Sequence, residues 1–318
     1  MSDLKQALTK FDLTMIAIGG TIGSGIFLTP SLIAKNLEAP ILILAVWVVG
    51  GLMALAGSLT FAELGSMMPG AGGMYVYLSR TYGKLFGFLF GWSYLLVVNT
   101  GGIAALSIAF ATYLGYFIPM SPTVIRIVAI AGLVLLTLLN IRGVKIGGIF
   151  SDVFTMLKLA GIAGVILVGL MWGSSSTTDF AASLPAYPDG IFTVLGAAMV
   201  GVLWSYGGWQ HASFTAGEAK DPKHSVPFAM VVGALTVSII YITINVAYMF
   251  LLSPQAIGSS SRVAADAVSS VTGLFGGSFI ALTIFISTFG SAGIYTLTVP
   301  RIYYAMANDG VFFRKVAE

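Results

Sequence analysis

Apolar residues run through this chain in long stretches, and polar residues gather at the joints between them. A bilayer crossing needs about 20 apolar residues. On that length the pattern predicts eight spans, at 13–34, 41–67, 85–117, 124–139, 153–172, 191–214, 226–252 and 274–305. The third and eighth are long enough to tilt, and the fourth is short. Between spans two and three, PGAGGMYVYLSRTYGK is too polar to cross and too apolar to stand free in water. It predicts a turn and then an interfacial helix with its tyrosines at headgroup level.

Two of the spans are interrupted. The first contains GGTIGSGIF, with four glycines between Gly19 and Gly25. Each glycine costs a helix interior about 1 kcal/mol relative to alanine, so this density predicts a helix that stops and restarts. The sixth span carries adjacent glycines in WSYGGWQ, Trp204 to Gln210. Close-packing notches would also use glycine, but paired interruptions five spans apart point to a transporter binding site. A break frees backbone N–H and C=O groups, which must line a cavity or hold a ligand. Freed amides at a restarting helix suit a carboxylate. Carbonyls at a stopping helix suit an ammonium.

Composition agrees with a multi-span protein and narrows its chemistry. The chain is 57% hydrophobic and 8% charged, with mean hydropathy +0.96, against about 25% charged in soluble domains. It has no cysteine, which excludes a disulfide framework and a thiolate metal site, and only two histidines. No cofactor is expected. A net charge of +3, thinly spread, gives no footing for nucleic acid. There is no GxxxxGK[ST] loop to use ATP. No nucleophile–base cluster suggests an enzyme.

The N-terminus has no cleavage-site pattern and reads as a cytoplasmic tail. With it inside, eleven Lys and Arg fall on cytoplasmic segments and three, Lys35, Arg126 and Arg262, on outer ones. That bias favours an even number of spans.

One basic residue, Lys158, lies inside span five, in FTMLKLAGI. A lysine in mid-bilayer needs a cavity and partners. A lysine near a span end snorkels to the headgroups, and Lys158 is only about 8 Å beyond Val153 at 1.5 Å per residue. Both readings stand on spacing alone. Glu63 reads as an interface carboxylate pairing with a basic loop such as that of Arg80. Glu218, Lys220, Asp221 and Lys223 read as a solvated inner loop with a part in closing an inner gate. His211 and His224 read as ordinary polar residues, and Asn99 and Asn140 as interhelical hydrogen bonders. Tyr241 and Tyr295 fit either pocket or core.

Four segments occur in order: IGGTIGSGIF, AELGSMMPGAGGMYVYL, YGGWQHASFTAGEAKDPKHSVPFAM and PRIYYAMANDGVF. Together they resemble the amino acid–polyamine–organocation superfamily, and within it the bacterial L-type amino acid transporters. The resemblance covers nearly the whole chain. It implies an all-α LeuT-type fold of two inverted five-span repeats, with spans one and six broken. The chain is then a single polytopic unit over 1–318, with a first repeat at about 11–172 and an incomplete second at about 190–318. The repeat calls for ten spans and the chain stops after the eighth, so a longer protein is expected.

By the same resemblance, amides at Thr21, Ile22, Gly23, Ser24, Gly25 and Ile26 would hold a substrate carboxylate. Carbonyls of Trp204, Ser205 and Gly207, beside Tyr206, with those near Ile18 and Gly19, would hold its ammonium. Trp204 would be an aromatic lid. Lys158 would stand where other members bind sodium, touching a carbonyl near Gly19 or Ile22 and a hydroxyl from span eight, Ser287 or Ser291. The implied activity is sodium-independent exchange of small neutral L-amino acids across the cell membrane. Proton-coupled symport is the alternative, and a sensor that moves nothing is a third reading. The partners are then amino acids and the lipid bilayer. Animal relatives join a second subunit through a disulfide, which a chain without cysteine cannot form.

Overall fold

The first predicted span forms two helices. In a computed structural model, described for residues 4–174, 177–181, 184–188 and 190–317, α1 (Lys10–Thr21) and α2 (Gly25–Leu37) are separated by residues 22–24. Thr9 and Asp12 close a reciprocal capping box at the start of α1, which satisfies amides the helix cannot satisfy itself. Next come α3 (Pro40–Met67), the short α4 (Met74–Tyr82) and α5 (Lys84–Ser93). A π-helical turn at Tyr94–Val98 joins α5 to α6 (Asn99–Leu114). Then follow α7 (Pro122–Ile141) and α8 (Val144–Trp172).

The sixth predicted span is also split, into α9 (Ile191–Tyr206) and α10 (His211–Phe214). The remaining helices are α11 (Pro222–Leu251), α12 (Pro254–Ser259), α13 (Val263–Thr272), α14 (Leu274–Thr298) and α15 (Pro300–Asn308). Among the described residues seven segments are long and apolar enough to cross a membrane, so this is a multi-pass membrane protein. The one expected crossing outside these seven is the sixth, where α9 reaches only 16 residues before its break.

Two sequence expectations need correction. The fifth span begins at Val144, not at 153. Its first turns hold Gly147, Gly148 and Ser151, which are buried against other helices, so low side-chain hydropathy there reflects close packing. Lys158 therefore lies fourteen residues into the helix, about 21 Å along it. Two of the three α4 tyrosines also differ from expectation, while Tyr82 is exposed. Tyr75 and Tyr77 are buried in protein, not spread at a headgroup surface. Tyr77 meets Phe61 edge to face at 5.7 Å, and burial pushes its phenol up to about 12. Burial and then the hydrogen bond to Asp309 raise the Tyr75 phenol. Tyr75 stays protonated and donates to Asp309 Oδ2 at 2.9 Å.

Helices five spans apart pack on one another. α3 lies along α11, α6 along α14, and α2 along α9, while α1 is enclosed by α11, α8 and α14. The central core joins α3, α9 and α11 through Trp47, Tyr206 and Tyr241, whose rings meet at 5.1 to 5.9 Å. Tyr206 Oη donates to the Trp47 carbonyl at 2.9 Å, giving the buried hydroxyl the partner it needs.

The face holding the N-terminus is sealed by backbone pairing. Leu8 bridges Ala219, the amides of Ala7 and Leu8 both donate to Glu218 O at 2.9 Å, and Lys220 N donates back to Leu8 O at 2.9 Å. Gly72 N donates to Phe214 O at 3.0 Å. Glu218 is 4% exposed and grips Arg301 with both carboxylate oxygens at 2.8 Å. Glu218 therefore departs from the reading of that loop as a solvated charged face, whereas Lys220, Asp221 and Lys223 are exposed as expected. His224 and Asp221 do remain on the surface, paired with each other at 3.0 Å.

Candidate functional site

The two breaks face each other. Gly208, in the turn between α9 and α10, lies so close to the end of α1 that a β-carbon there would stand 2.3 Å from Gly20 O. Its φ of +137° is also one that side chains rarely adopt. Around this contact lies a cavity of about 80 Å³. From the first break it is lined by Gly20, Thr21, Gly23, Ser24 and Gly25, and from the sixth span by Trp204, Ser205 and Gly207. Gly102, Ala105 and Leu106 of α6, with Ser291 and Tyr295 of α14, complete it. None of these side chains is an acid or a base of the Asp, Glu, Lys or Arg kind. Trp204 is 60% exposed and stands at the rim.

Helix geometry decides which backbone groups remain open. Among the described residues the amides of Ser24, Gly25 and Ile26 have no acceptor, because they start α2 and nothing helical precedes them. On the acceptor side, Ile18 O takes Ile22 N and Trp204 O takes Gly207 N. The Tyr241 hydroxyl lies 3.2 Å from Thr21 O and 3.1 Å from Ser205 O. Gly20 O and Gly207 O are left without a donor among the described residues. The cavity thus presents unpaired N–H groups from one restarting helix and unpaired C=O groups from two stopping ones. That is complementary to a zwitterion.

Lys158 is fully buried. Its ammonium donates to Ile22 O at 2.7 Å, Gly19 O at 2.9 Å and Ser291 Oγ at 2.8 Å. All three of its hydrogens are used. The spacing argument for a snorkelling lysine fails because the helix starts nine residues earlier than expected. Ser291 Oγ also lies 2.9 Å from Gly19 O and 3.0 Å from Ile22 O. Ser287 Oγ sits 3.2 Å from both Ile22 O and Gly23 O. Sequence could not choose between these serines; the lysine touches Ser291, and Ser287 supports the next carbonyls.

Of the residues expected at the site, Thr21, Gly23, Ser24, Gly25, Trp204, Ser205 and Gly207 meet at one cavity. Ile18, Ile22, Ile26 and Tyr206 are buried and do not line it. Gly19 serves Lys158 through its carbonyl. Gly25 packs directly on α9, where a β-carbon would stand 2.8 Å from Ser205 Oγ. The Ser205 hydroxyl lies 2.9 Å from Thr29 Oγ1, within that helix contact. Sequence reasoning left Tyr241 and Tyr295 unassigned and did not single out Gly20, Gly102 or Ala105. A tyrosine in an apolar span was the available signal, since its hydroxyl must find a partner. Asn140 does bond between helices, from Nδ2 to Thr296 Oγ1 at 2.8 Å. Asn99 Oδ1 is buried without a partner among the described residues.

The sequence profile described as amino acid permease matches residues 8–317. The chain is 34% identical over 305 residues to the serine/threonine exchanger SteT of Bacillus subtilis, covering 96% of this chain and 68% of that protein. It is 31% identical over 304 residues to the b(0,+)-type amino acid transporter 1 of Mus musculus, covering 93% and 61%. It is 29% identical over 316 residues to the large neutral amino acids transporter small subunit 2 of Homo sapiens, covering 96% and 58%. The chain therefore spans about three-fifths to two-thirds of the length of these relatives.

Proposed function

The chain belongs to the amino acid permease family, in the amino acid–polyamine–organocation superfamily, and on that premise we propose that it moves small neutral L-amino acids by sodium-independent exchange. The observation that carries this is the meeting of unpaired amides at Ser24 and Gly25 with unpaired carbonyls at Gly20 and Gly207 around one cavity. The substrate carboxylate sits on the amides and its ammonium on the carbonyls. A lining without charged side chains favours a neutral substrate. At about 80 Å³ the cavity is small, which favours a short side chain. The name of the Bacillus subtilis relative supports both exchange and small substrates.

Sodium independence rests on Lys158. Its fixed ammonium occupies the Gly19, Ile22 and Ser291 oxygens, a carbonyl cluster that would otherwise suit a cation. The proposed architecture is LeuT-type, with repeats at about 11–172 and 190–318 and alternating access around the two breaks. The pairing of α3 with α11, α6 with α14 and α2 with α9 supports two related halves. The Lys and Arg bias supports an N-terminus in the cytoplasm, and the proposed location is the cell membrane. No chemistry on the substrate is involved. These 318 residues hold no cysteine, so they form no disulfide to a second subunit.

The test is uptake of labelled serine, alanine, threonine and leucine by proteoliposomes, loaded or not with unlabelled amino acid, with and without a proton gradient. Exchange requires uptake only into loaded vesicles, whatever the gradient. Proton-driven uptake into empty vesicles replaces exchange with symport. No uptake and no counterflow, with binding retained, leaves a sensor.

A further inference from the structure

His211 opens α10 and is fully buried, yet it does not line the cavity. Its ring lies against Tyr295 of α14, with centroids 4.3 Å apart, and Tyr295 does line the cavity. Its Cδ2 edge faces Gly20, where a β-carbon would stand 3.4 Å away. The imidazole Nδ1 lies 2.6 Å from Thr298 Oγ1. The Thr298 hydroxyl commits its one hydrogen to Ile294 O, at 2.8 Å. Its oxygen must then accept from the ring, so Nδ1 carries the proton. Nε2 is the acceptor nitrogen, and it has no partner among the described residues.

This is the one side-chain hydrogen bond joining α10 to α14 among the described residues. Three residues past Thr298 comes Arg301, which holds Glu218. The segment 211–218 is thus fastened to the end of the eighth span twice, beside the cavity by His211 and at the N-terminal face by Glu218.

We propose that His211 is a positioning residue that holds α10 on the cavity wall through its Nδ1–H bond to Thr298, keeping the N-terminal face shut until α10 leaves α14. Tyr295 belongs to both the cavity and the His211 contact, so a substrate settling there strengthens the closure. Only this last step rests on the transport reading. The bond can be tested apart from packing, because the donor and its acceptor can be removed separately with little change in volume.

The absence of cysteine makes the closure directly measurable. In Ala216→Cys the new thiol is the only one in these 318 residues, and Ala216 is fully buried beside the seal. Its rate of reaction with a small methanethiosulfonate reports opening. Thr298→Val and His211→Leu should each raise the rate about fivefold, the equivalent of one buried hydrogen bond. Thr298→Ser keeps the acceptor. His211→Asn places an amide nitrogen at the Nδ1 position and drops Nε2. Both should stay within about twofold of the parent. In uptake assays Thr298→Val should change turnover by a similar factor, and Thr298→Ser should restore it.

The proposal is overturned if Thr298→Val labels at the parental rate, or if His211→Asn labels as fast as His211→Leu. Saturating serine should slow labelling of the parent and not of Thr298→Val; equal slowing in both overturns the link to the cavity. A parent that binds no amino acid in a thermal-shift titration would defeat the transport reading, while the labelling ratios would still decide the role of His211.

Discussion

The ammonium of Lys158 stands 2.7 Å from the carbonyl oxygen of Ile22, the first residue past the end of α1. The fifth span thereby holds the unwound turn of the first, with Gly19 O and Ser291 Oγ as its other two partners. A hydrogen bond from a charged donor contributes about 1.5–3 kcal/mol. Lys158→Ala should therefore lower serine uptake roughly 10- to 150-fold while the protein still inserts and purifies as a single species. Ser287 and Ser291 remain to cover the carbonyls, so the fold survives. Uptake at the parental rate would reduce Lys158 to a packing residue.

What the sequence made legible were anomalies: glycines clustered in apolar spans, and a lysine where lipid should be. Each is costly by itself, so each announces a compensating structure. Tyr241 announces nothing comparable. Its partners Thr21 O and Ser205 O lie on two other helices, and only the assembled bundle brings them within reach. Glu218 misled for a related reason. In a run with Lys220 and Asp221 it resembles a solvated loop, and its partner Arg301 comes 83 residues later. The start of α8 was misplaced because small residues that pack tightly have the same low hydropathy as residues that leave the membrane.

Gly208 gives a sharper test of the paired breaks than the more obvious Gly25. Alanine at 208 must accept a φ of +137° and a β-carbon 2.3 Å from the Gly20 carbonyl oxygen. That contact is with backbone and cannot yield by rotating a side chain. Strained backbone alone costs about 1–3 kcal/mol. At the neighbouring Gly207, φ is −70° and the nearest atom to a β-carbon is 3.5 Å away. Gly208→Ala should abolish the serine-dependent thermal shift, and Gly207→Ala should retain most of it. Equal behaviour of the two would mean that the close approach of the breaks is not needed for binding.

Tyr241→Phe keeps the ring among Trp47 and Tyr206 and removes only the hydroxyl that joins the two breaks. Losing a neutral hydrogen bond and leaving its acceptors buried costs about 1–3 kcal/mol. We expect serine uptake per folded molecule to fall roughly 5- to 150-fold on that scale, beyond whatever the lost bond takes from the melting temperature. A large fall in melting temperature with normal turnover per folded molecule would assign this hydroxyl to stability instead.

Glu218 and Arg301 close the N-terminal face with two parallel hydrogen bonds of 2.8 Å, and the carboxylate is nearly out of reach of water. Removing one partner of a buried ion pair costs about 3–5 kcal/mol, because the other charge is left without compensation. Glu218→Gln and Arg301→Gln should each raise thiol labelling of Ala216→Cys by more than tenfold. The double variant should be no worse than the more severe single one, since it leaves neither charge stranded. The coupling between the two substitutions is then the measured quantity, and contacting charges should couple strongly. Effects that simply add would show that the ion pair does not hold this face closed, and the backbone pairing of Leu8 with Ala219 would be left as the seal.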